Sequence, residues 1–90
     1  MSVQIAGITF DNVNYDAAAD VLYLHVGNPD RAVDFDTSAE GHHLRFDGNG
    51  ELVGLTIVNA KWLLEREGEI TITIPERVRV PGGALAEALS

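Results

Sequence analysis

The chain contains no cysteine, which excludes disulfides, thiolate metal sites and a cysteine nucleophile. Basic residues are also scarce: six Lys and Arg stand against fourteen Asp and Glu, for a formal net charge of −8. Because nucleic-acid affinity rests largely on cationic side chains at phosphates, this balance argues against DNA or RNA as a ligand. Electrostatically it favours a basic protein as a partner, although solubility alone also explains the balance and is the explanation that we favour.

Long apolar segments are missing as well. No run approaches the roughly 20 residues that span a bilayer. The first residues, Met1 to Ile5, lack the basic start and apolar core of a signal peptide. We therefore expect a cytoplasmic protein that does not enter the membrane. A length of 90 residues with 46% hydrophobic residues predicts one domain over residues 1–90.

Short alternations of apolar and polar residues, separated by turn residues, fill the first two thirds of the chain. They predict strands over residues 4–10, 13–15, 21–26, 31–36, 42–46 and 51–58. Asp47-Gly48-Asn49-Gly50 predicts the tight turn that joins the last two strands. In the strand 51–58, Leu52 and Val58 oppose the face that carries Leu55, which predicts that both faces are covered.

The remaining residues, 61–90, predict a helix, a strand and a second helix. Asn59 is the predicted cap of a helix over 60–67 that ends at Gly68, and a strand follows over 69–74. After a hinge at 81–83, a short helix is predicted over 84–89. Tight connections between successive strands favour an α+β, mainly β fold. We expect an antiparallel meander sheet of short strands, one helix after Asn59 and a short C-terminal helix.

Two features predict a homodimer. The helix over 84–89 is marginal alone in water, so it must dock on its own sheet, dock on another subunit or fray. Trp62, Leu63 and Leu64 cannot all lie on one narrow stripe of a helix, because neighbours are about 100° apart. Trp62 is either a core residue, the alternative we favour, or part of an intersubunit contact.

The spacing of several residues resembles one family. Tyr15-Asp16, Asp20-x-Leu22-Tyr23-Leu24, Glu40-Gly41 and Asp47-x-x-Gly50-x-x-Val53-Gly54-x-x-Ile57 are similar to the DUF2283 family of small bacterial and archaeal proteins. The resemblance covers residues 13–60, a β core, and leaves 61–90 outside it. The chain departs from the pattern at Thr56, where the family tends to carry an acidic residue, and at His42-His43, where its hairpin strand is more apolar.

What the resemblance implies is a fold without an assigned activity. Some relatives are encoded beside small toxin-like proteins, so the resemblance implies an antitoxin-like role. From the residues themselves we expect a non-enzymatic protein-interaction module without a catalytic residue or cofactor. Asp16 and Asp20 are interpreted as turn and capping residues rather than a catalytic carboxylate pair.

A different class of function, binding of a metal or small ligand, is the alternative. Its candidate residues are His25, His42, His43, Asp34 and Asp36. His42 and His43 are neighbours in a strand and point to opposite faces, so only one of them can share a face with His25. If the strands 21–26 and 42–46 were neighbours, that pair and Asp34 or Asp36 could hold a divalent metal.

Overall fold

The centre of the fold is a five-stranded antiparallel sheet. The computed structural model describes residues 2–27, 32–74, 76–85 and 88–89. In chain order the elements are β1 (Val3–Ile5), β2 (Ile8–Phe10), β3 (Asn12–Asp16), β4 (Val21–His25), β5 (Asp34–Thr37), β6 (His43–Phe46), β7 (Leu52–Val58), α1 (Ala60–Glu67), β8 (Glu69–Ile74), β9 (Glu76–Pro81) and α2 (Gly82–Leu85).

The central sheet joins two local units. The β3–β4 hairpin and the β5–β6–β7 meander meet where β7 pairs with β4, which gives the order β3-β4-β7-β6-β5. The fold class predicted from the sequence, mainly β with antiparallel sheets of short strands, is confirmed. The strand order depends on the contact between β4 and β7, which alternation patterns do not encode.

One strand predicted over residues 4–10 is instead a hairpin. The strands β1 and β2 pair as Ile5 with Ile8, and Ala6 and Gly7 form the two-residue turn. Both turn residues have positive φ, 53° at Ala6 and 78° at Gly7, as a type I′ turn requires. The strand prediction was wrong at this point because a non-glycine residue occupies a position that usually carries Asn, Asp or Gly.

A bulge changes the predicted faces of β7. The pairing between β6 and β7 shifts after Arg45, so that Phe46 pairs with Leu52. A bulge rotates the residues beyond it, and Leu52 packs against the core with Leu55 and Ile57. The prediction that Leu52 helps to cover the opposite face was therefore wrong. Val58 does lie on that face and is half-buried.

A second layer covers one face of the central sheet. It consists of the β1–β2 and β8–β9 hairpins and α2, and its buried side chains form one core with those of the sheet. The buried core residues are Val3, Ile5, Phe10, Leu22, Leu24, Leu44, Leu55, Ile57, Ala60, Ile70, Ile72, Val80, Leu85, Ala88 and Leu89. Because Leu85 and Leu89 are among them, the C-terminal segment docks on its own chain.

The helices follow the sequence prediction in part. The bounds of α1 match the predicted 60–67, and Gly68 ends it with φ 77° while its N–H donates to the Leu64 carbonyl at 2.8 Å. The second helix begins at Gly82 rather than Ala84, and residues 86 and 87 of the predicted segment lie outside the described residues. The strand β9 was missed, although Arg and Val alternate over its residues.

None of the described helices has both the length and the hydrophobicity needed to cross a membrane.

The strain at Ala6 yields a prediction about stability. Replacing Ala6 by Asn should raise the free energy of unfolding by about 0.5–1 kcal/mol, since Asn tolerates positive φ better than Ala. Ala6→Val should lower it, because a β-branched residue is disfavoured there. Urea denaturation of both variants measures the difference. Equal stability of the two variants would contradict the turn geometry described above.

Candidate functional site

The face of the central sheet opposite the core is the candidate functional site. Residues that pair directly across antiparallel strands point to the same face. The register places Tyr23 beside Thr56 and His43, and His25 beside Gly54 and Arg45. We call this surface the open face; its side chains are Asn12, Asn14, Asp16, Val21, Tyr23, His25, Phe35, Thr37, His43, Arg45, Thr56 and Val58.

Large side chains of the open face are accessible. Tyr23 is 40% exposed and Phe35 is 65% exposed. Val21, Val58, Phe35 and Tyr23 border a shallow depression of about 470 Å³. An antiparallel sheet with one solvated face usually carries polar residues there, so the aromatic and aliphatic groups are unusual. Thr56, where the family resemblance implies an acidic residue, lies buried between Tyr23 and His43.

The proposed metal ligands do not come together. The strand β7 lies between β4 and β6, and His25 and His43 are also two residues apart in register. At about 4.8 Å per strand and about 3.4 Å per residue, their backbones are about 12 Å apart. Asp34 and Asp36 pair with Phe46 and Leu44, on the other side of the sheet. No group of three or more potential metal ligands converges among the described residues. The metal site was expected only if the strands that carry His25 and His43 were neighbours. They are not, so this condition is not met.

His42 has a structural role on the core side. Its ring is buried, its Nδ1 accepts a hydrogen bond from the Val58 N–H at 3.2 Å, and its own N–H donates to Ser38 Oγ at 3.1 Å. Burial lowers the pKa of the His42 imidazole, and the nearby Glu40 carboxylate offsets this only in part. The opposite orientation of His42 and His43, predicted from their adjacency, is confirmed.

Gly54 forms the floor beneath His25 and Arg45. A Cβ atom at this position would lie 3.0 Å from Arg45 Cβ and 3.2 Å from both Arg45 Cδ and His25 Cδ2. A side chain therefore does not fit without displacing these two residues. Arg45 also approaches Phe35, with its guanidinium carbon 6.0 Å from the ring centroid. Arg45 makes no ion pair within the described part of the chain.

His25 contains the most unusual polar atom of the open face. Its Nδ1 lies 3.2 Å from the Gly27 carbonyl oxygen, an atom that only accepts hydrogen bonds. Nδ1 therefore carries a proton. Nε2 is buried and has no hydrogen-bond partner among the described residues. Sequence reasoning identified His25 as a candidate for binding a metal or a small ligand, but its pairing with Gly54 was not predictable.

Asp20 caps α1 from a distance in sequence. Its Oδ1 accepts from the Lys61 N–H at 2.8 Å and its Oδ2 from the Trp62 N–H at 3.1 Å, while the Tyr15 hydroxyl donates to Oδ1 at 2.7 Å. Asn59, the predicted cap, makes no side-chain hydrogen bond to the helix and has φ 58°. The prediction of Asn59 as the capping side chain was therefore wrong.

The hydrogen bonds of Asp20 shift the pKa values of both Asp20 and Tyr15. Burial raises the pKa of the Asp20 carboxyl, but the hydrogen bonds from Tyr15, Lys61 and Trp62 outweigh it and hold that pKa below its usual range. The same carboxylate raises the pKa of Tyr15 to about 12. Asp16 has the predicted capping role, since its Oδ1 accepts from the Ala18 and Ala19 N–H groups at 3.1 and 3.3 Å.

Glu40 connects the loop after β5 to the second layer. Its carboxylate accepts from the Thr73 N–H at 2.9 Å and from the Thr73 hydroxyl at 2.8 Å. Burial raises the pKa of Glu40, and these hydrogen bonds outweigh it and lower the pKa overall. Asp47 likewise closes the predicted hairpin turn by accepting from the N–H groups of Asn49 and Glu51. The acidic residues of the family pattern, Asp16, Asp20, Glu40 and Asp47, thus accept hydrogen bonds from backbone N–H groups.

Trp62 lies on the surface of α1 and is 51% exposed. The Arg66 guanidinium carbon lies 5.0 Å from its ring centroid, one helical turn away. The core position that we favoured for Trp62 was wrong. Leu63 and Leu64 are half-buried against the core, whereas Trp62 faces the solvent. The three side chains therefore do not share one stripe of the helix.

The fold and the open face define a small antiparallel β protein with one face of its central sheet packed and the other accessible. The chain belongs to the DUF2283 family, described as a protein of unknown function, whose family model matches residues 12–61. Searches among curated proteins and among solved structures found no match. The matched range holds the central sheet and the first two residues of α1, including the Lys61 amide that Asp20 accepts from; the Trp62 amide lies one residue beyond it.

Removing the charge of Asp20 should test the cap. We expect Asp20→Asn to lower the free energy of unfolding by about 0.5–2 kcal/mol at neutral pH, the usual effect of losing a cap. Because the folded-state pKa is lowered, the stabilisation is present above about pH 4 and is lost on acidification. The variant should therefore lose less stability than wild type between pH 6 and 3 in urea titrations. Glu67→Gln, at the far end of the same helix, should behave as wild type.

His42 should produce a separate pH dependence. Its folded-state pKa is lowered, so it stabilises the fold above about pH 6.5 and this contribution falls as the pH drops, by at most about 1.4 kcal/mol per pH unit. His42→Asn keeps an acceptor for the Val58 N–H but does not titrate. Comparing urea denaturation at pH 7.5 and 5.5 should show a smaller loss for this variant, with His43→Gln as control. An unchanged loss in His42→Asn would contradict the assignment.

Proposed function

We propose that this protein is a small non-enzymatic protein-interaction module that docks a basic protein partner on its open face. The observation that carries the proposal is the accessible aromatic and aliphatic group around Tyr23, Phe35, Val21 and Val58 on the sheet. Exposed apolar patches of this kind are typical of binding surfaces. Tyrosine and other aromatic residues are frequent among the side chains that dominate binding energy.

The charge of the chain supports the choice of partner. The net charge of −8 attracts a basic protein over long range and repels a second copy of this chain. Asp34 and Asp36 are exposed on the edge strand β5, on the side of the sheet opposite Phe35, and add to this long-range field. An antitoxin-like role, in which the bound partner is neutralised, is the specific form of this proposal that the family resemblance implies.

The hydrogen bonds of the acidic residues in the family pattern support a non-enzymatic role. Asp16, Asp20, Glu40 and Asp47 accept hydrogen bonds from backbone amides, and this use explains their spacing without a reaction. The cytoplasmic location stays a prediction. So does the homodimer, whose original support has weakened because Leu85 and Leu89 are buried within the chain.

A pair of matched variants tests the docking surface. Tyr23→Ser combined with Phe35→Ser should weaken capture of a partner at least about tenfold, since aromatic anchors often contribute more than 1 kcal/mol each. Trp62→Ser removes an equally exposed aromatic residue outside the open face and should leave capture unchanged. The candidate to measure first is the product of a neighbouring gene, by titration calorimetry at low and moderate salt.

Three results would contradict the proposal. Equal affinity of wild type and the double variant would place the binding surface elsewhere. Sedimentation of wild type as a dimer, with the double variant at the monomer mass of 9.7 kDa, would assign the open face to a second copy instead. Affinity that rises with salt would rule out a basic partner, because screening weakens the attraction between opposite charges.

A further inference from the structure

One part of the open face has the features of a small-molecule site. Beside Tyr23 lies a second depression of about 260 Å³, bordered by Asn12, Asn14, His25, Arg45 and Thr56. This volume is below the roughly 300–1,000 Å³ of sites for drug-sized ligands. Any ligand that it holds is therefore a small molecule of few atoms.

The floor of this depression is shaped by the missing side chain at Gly54. His25 and Arg45 reach over Gly54 from opposite neighbouring strands, and both would contact a Cβ there at 3.2 Å or less. Both residues therefore pack carbon atoms against Gly54, and both border the same depression. The aliphatic part of Arg45 is flexible, so its guanidinium can turn from the Phe35 ring toward a ligand beside His25.

The two groups have opposite hydrogen-bonding character. Arg45 is a donor-only cation without an ion pair in the described part of the chain. His25 donates from Nδ1 to the Gly27 carbonyl, which leaves Nε2 as an acceptor. That Nε2 belongs to a residue only 8% exposed and has no hydrogen-bond partner among the described residues. A buried polar atom without a partner is costly and calls for a ligand or water.

We propose that His25 and Arg45 bind a small carboxylate that carries a hydrogen-bond donor, such as a hydroxy acid or an amino acid. The planar guanidinium of Arg45 matches the two oxygens of a carboxylate. The hydroxyl or ammonium group of the same ligand donates to His25 Nε2. A monoanion fits better than a phosphate dianion, because Arg45 is the one permanent cation among the described residues that line the depression, and the whole chain carries a charge of −8. This site is independent of the protein partner proposed above.

Nuclear magnetic resonance titration of the isolated chain tests the site. L-Lactate and glycine should shift the Gly54 amide and the His25 ring signals saturably. Propionate, which lacks the donor, should bind roughly 3- to 10-fold more weakly than lactate, as expected for one lost hydrogen bond. Arg45→Met should abolish the saturable shifts, while His25→Phe should remove the preference for lactate. His43→Gln, on the same face but outside the depression, is the matched control and should bind as wild type.

Several outcomes would overturn the proposal. If neither lactate nor glycine gives saturable shifts, the site does not exist. If Arg45→Met binds as wild type does, Arg45 is not part of the site. Inorganic phosphate binding more tightly than lactate would exclude the carboxylate class. A tripeptide ending in a free serine carboxylate serves as a further probe. If the tripeptide binds more tightly than lactate, the ligand of the site is the C-terminal carboxylate of a protein partner and not a free metabolite. The spectrum of each variant verifies that it is folded.

Discussion

The hydrogen bonds that Asp20 accepts from the first N–H groups of α1 are the contact on which the arrangement of the fold depends. The first N–H groups of a helix have no partner within it, and a helix of eight residues is too short to be stable alone. Asp20 lies between β3 and β4, and its carboxylate accepts from Lys61 and Trp62 while its own carbonyl accepts from Ala60. The helix is thereby attached to the hairpin, and the segment that follows it is directed onto the core face of the sheet.

Other carboxylates along the chain also accept hydrogen bonds from backbone amides. Glu40 accepts from Thr73 of β8, and Asp11 accepts from the Gly27 N–H at 2.8 Å, a bond that lowers the pKa of Asp11. Carboxylates that accept from backbone amides stabilise turns and layer contacts that a small core supports weakly. Part of the acidic composition therefore serves the fold. The charge that remains on the surface determines the long-range field, which favours cationic partners.

The open face follows from the way in which the second layer is placed. Both hairpins outside the central sheet and α2 contribute to a single core on one side, and this leaves Tyr23 and Phe35 accessible on the other. Within that face, Gly54 provides space that His25 and Arg45 fill. An apolar area lies beside a cation and an imidazole nitrogen that has no hydrogen-bond partner in the described part of the chain. The open face thus combines the features of a docking surface with those of a small polar site.

What the sequence determined by itself is the local structure. The turn at Asp47 to Gly50, the alternation in β4 and β7 and the helix that ends at Gly68 depend on residues a few positions apart, so their patterns predict them. The tertiary structure decided which residues meet: Asp20 in place of Asn59 at the helix start, β7 between β4 and β6, and His25 over Gly54. These contacts join residues distant in sequence, and their partners are selected by packing and loop closure, which no local pattern records.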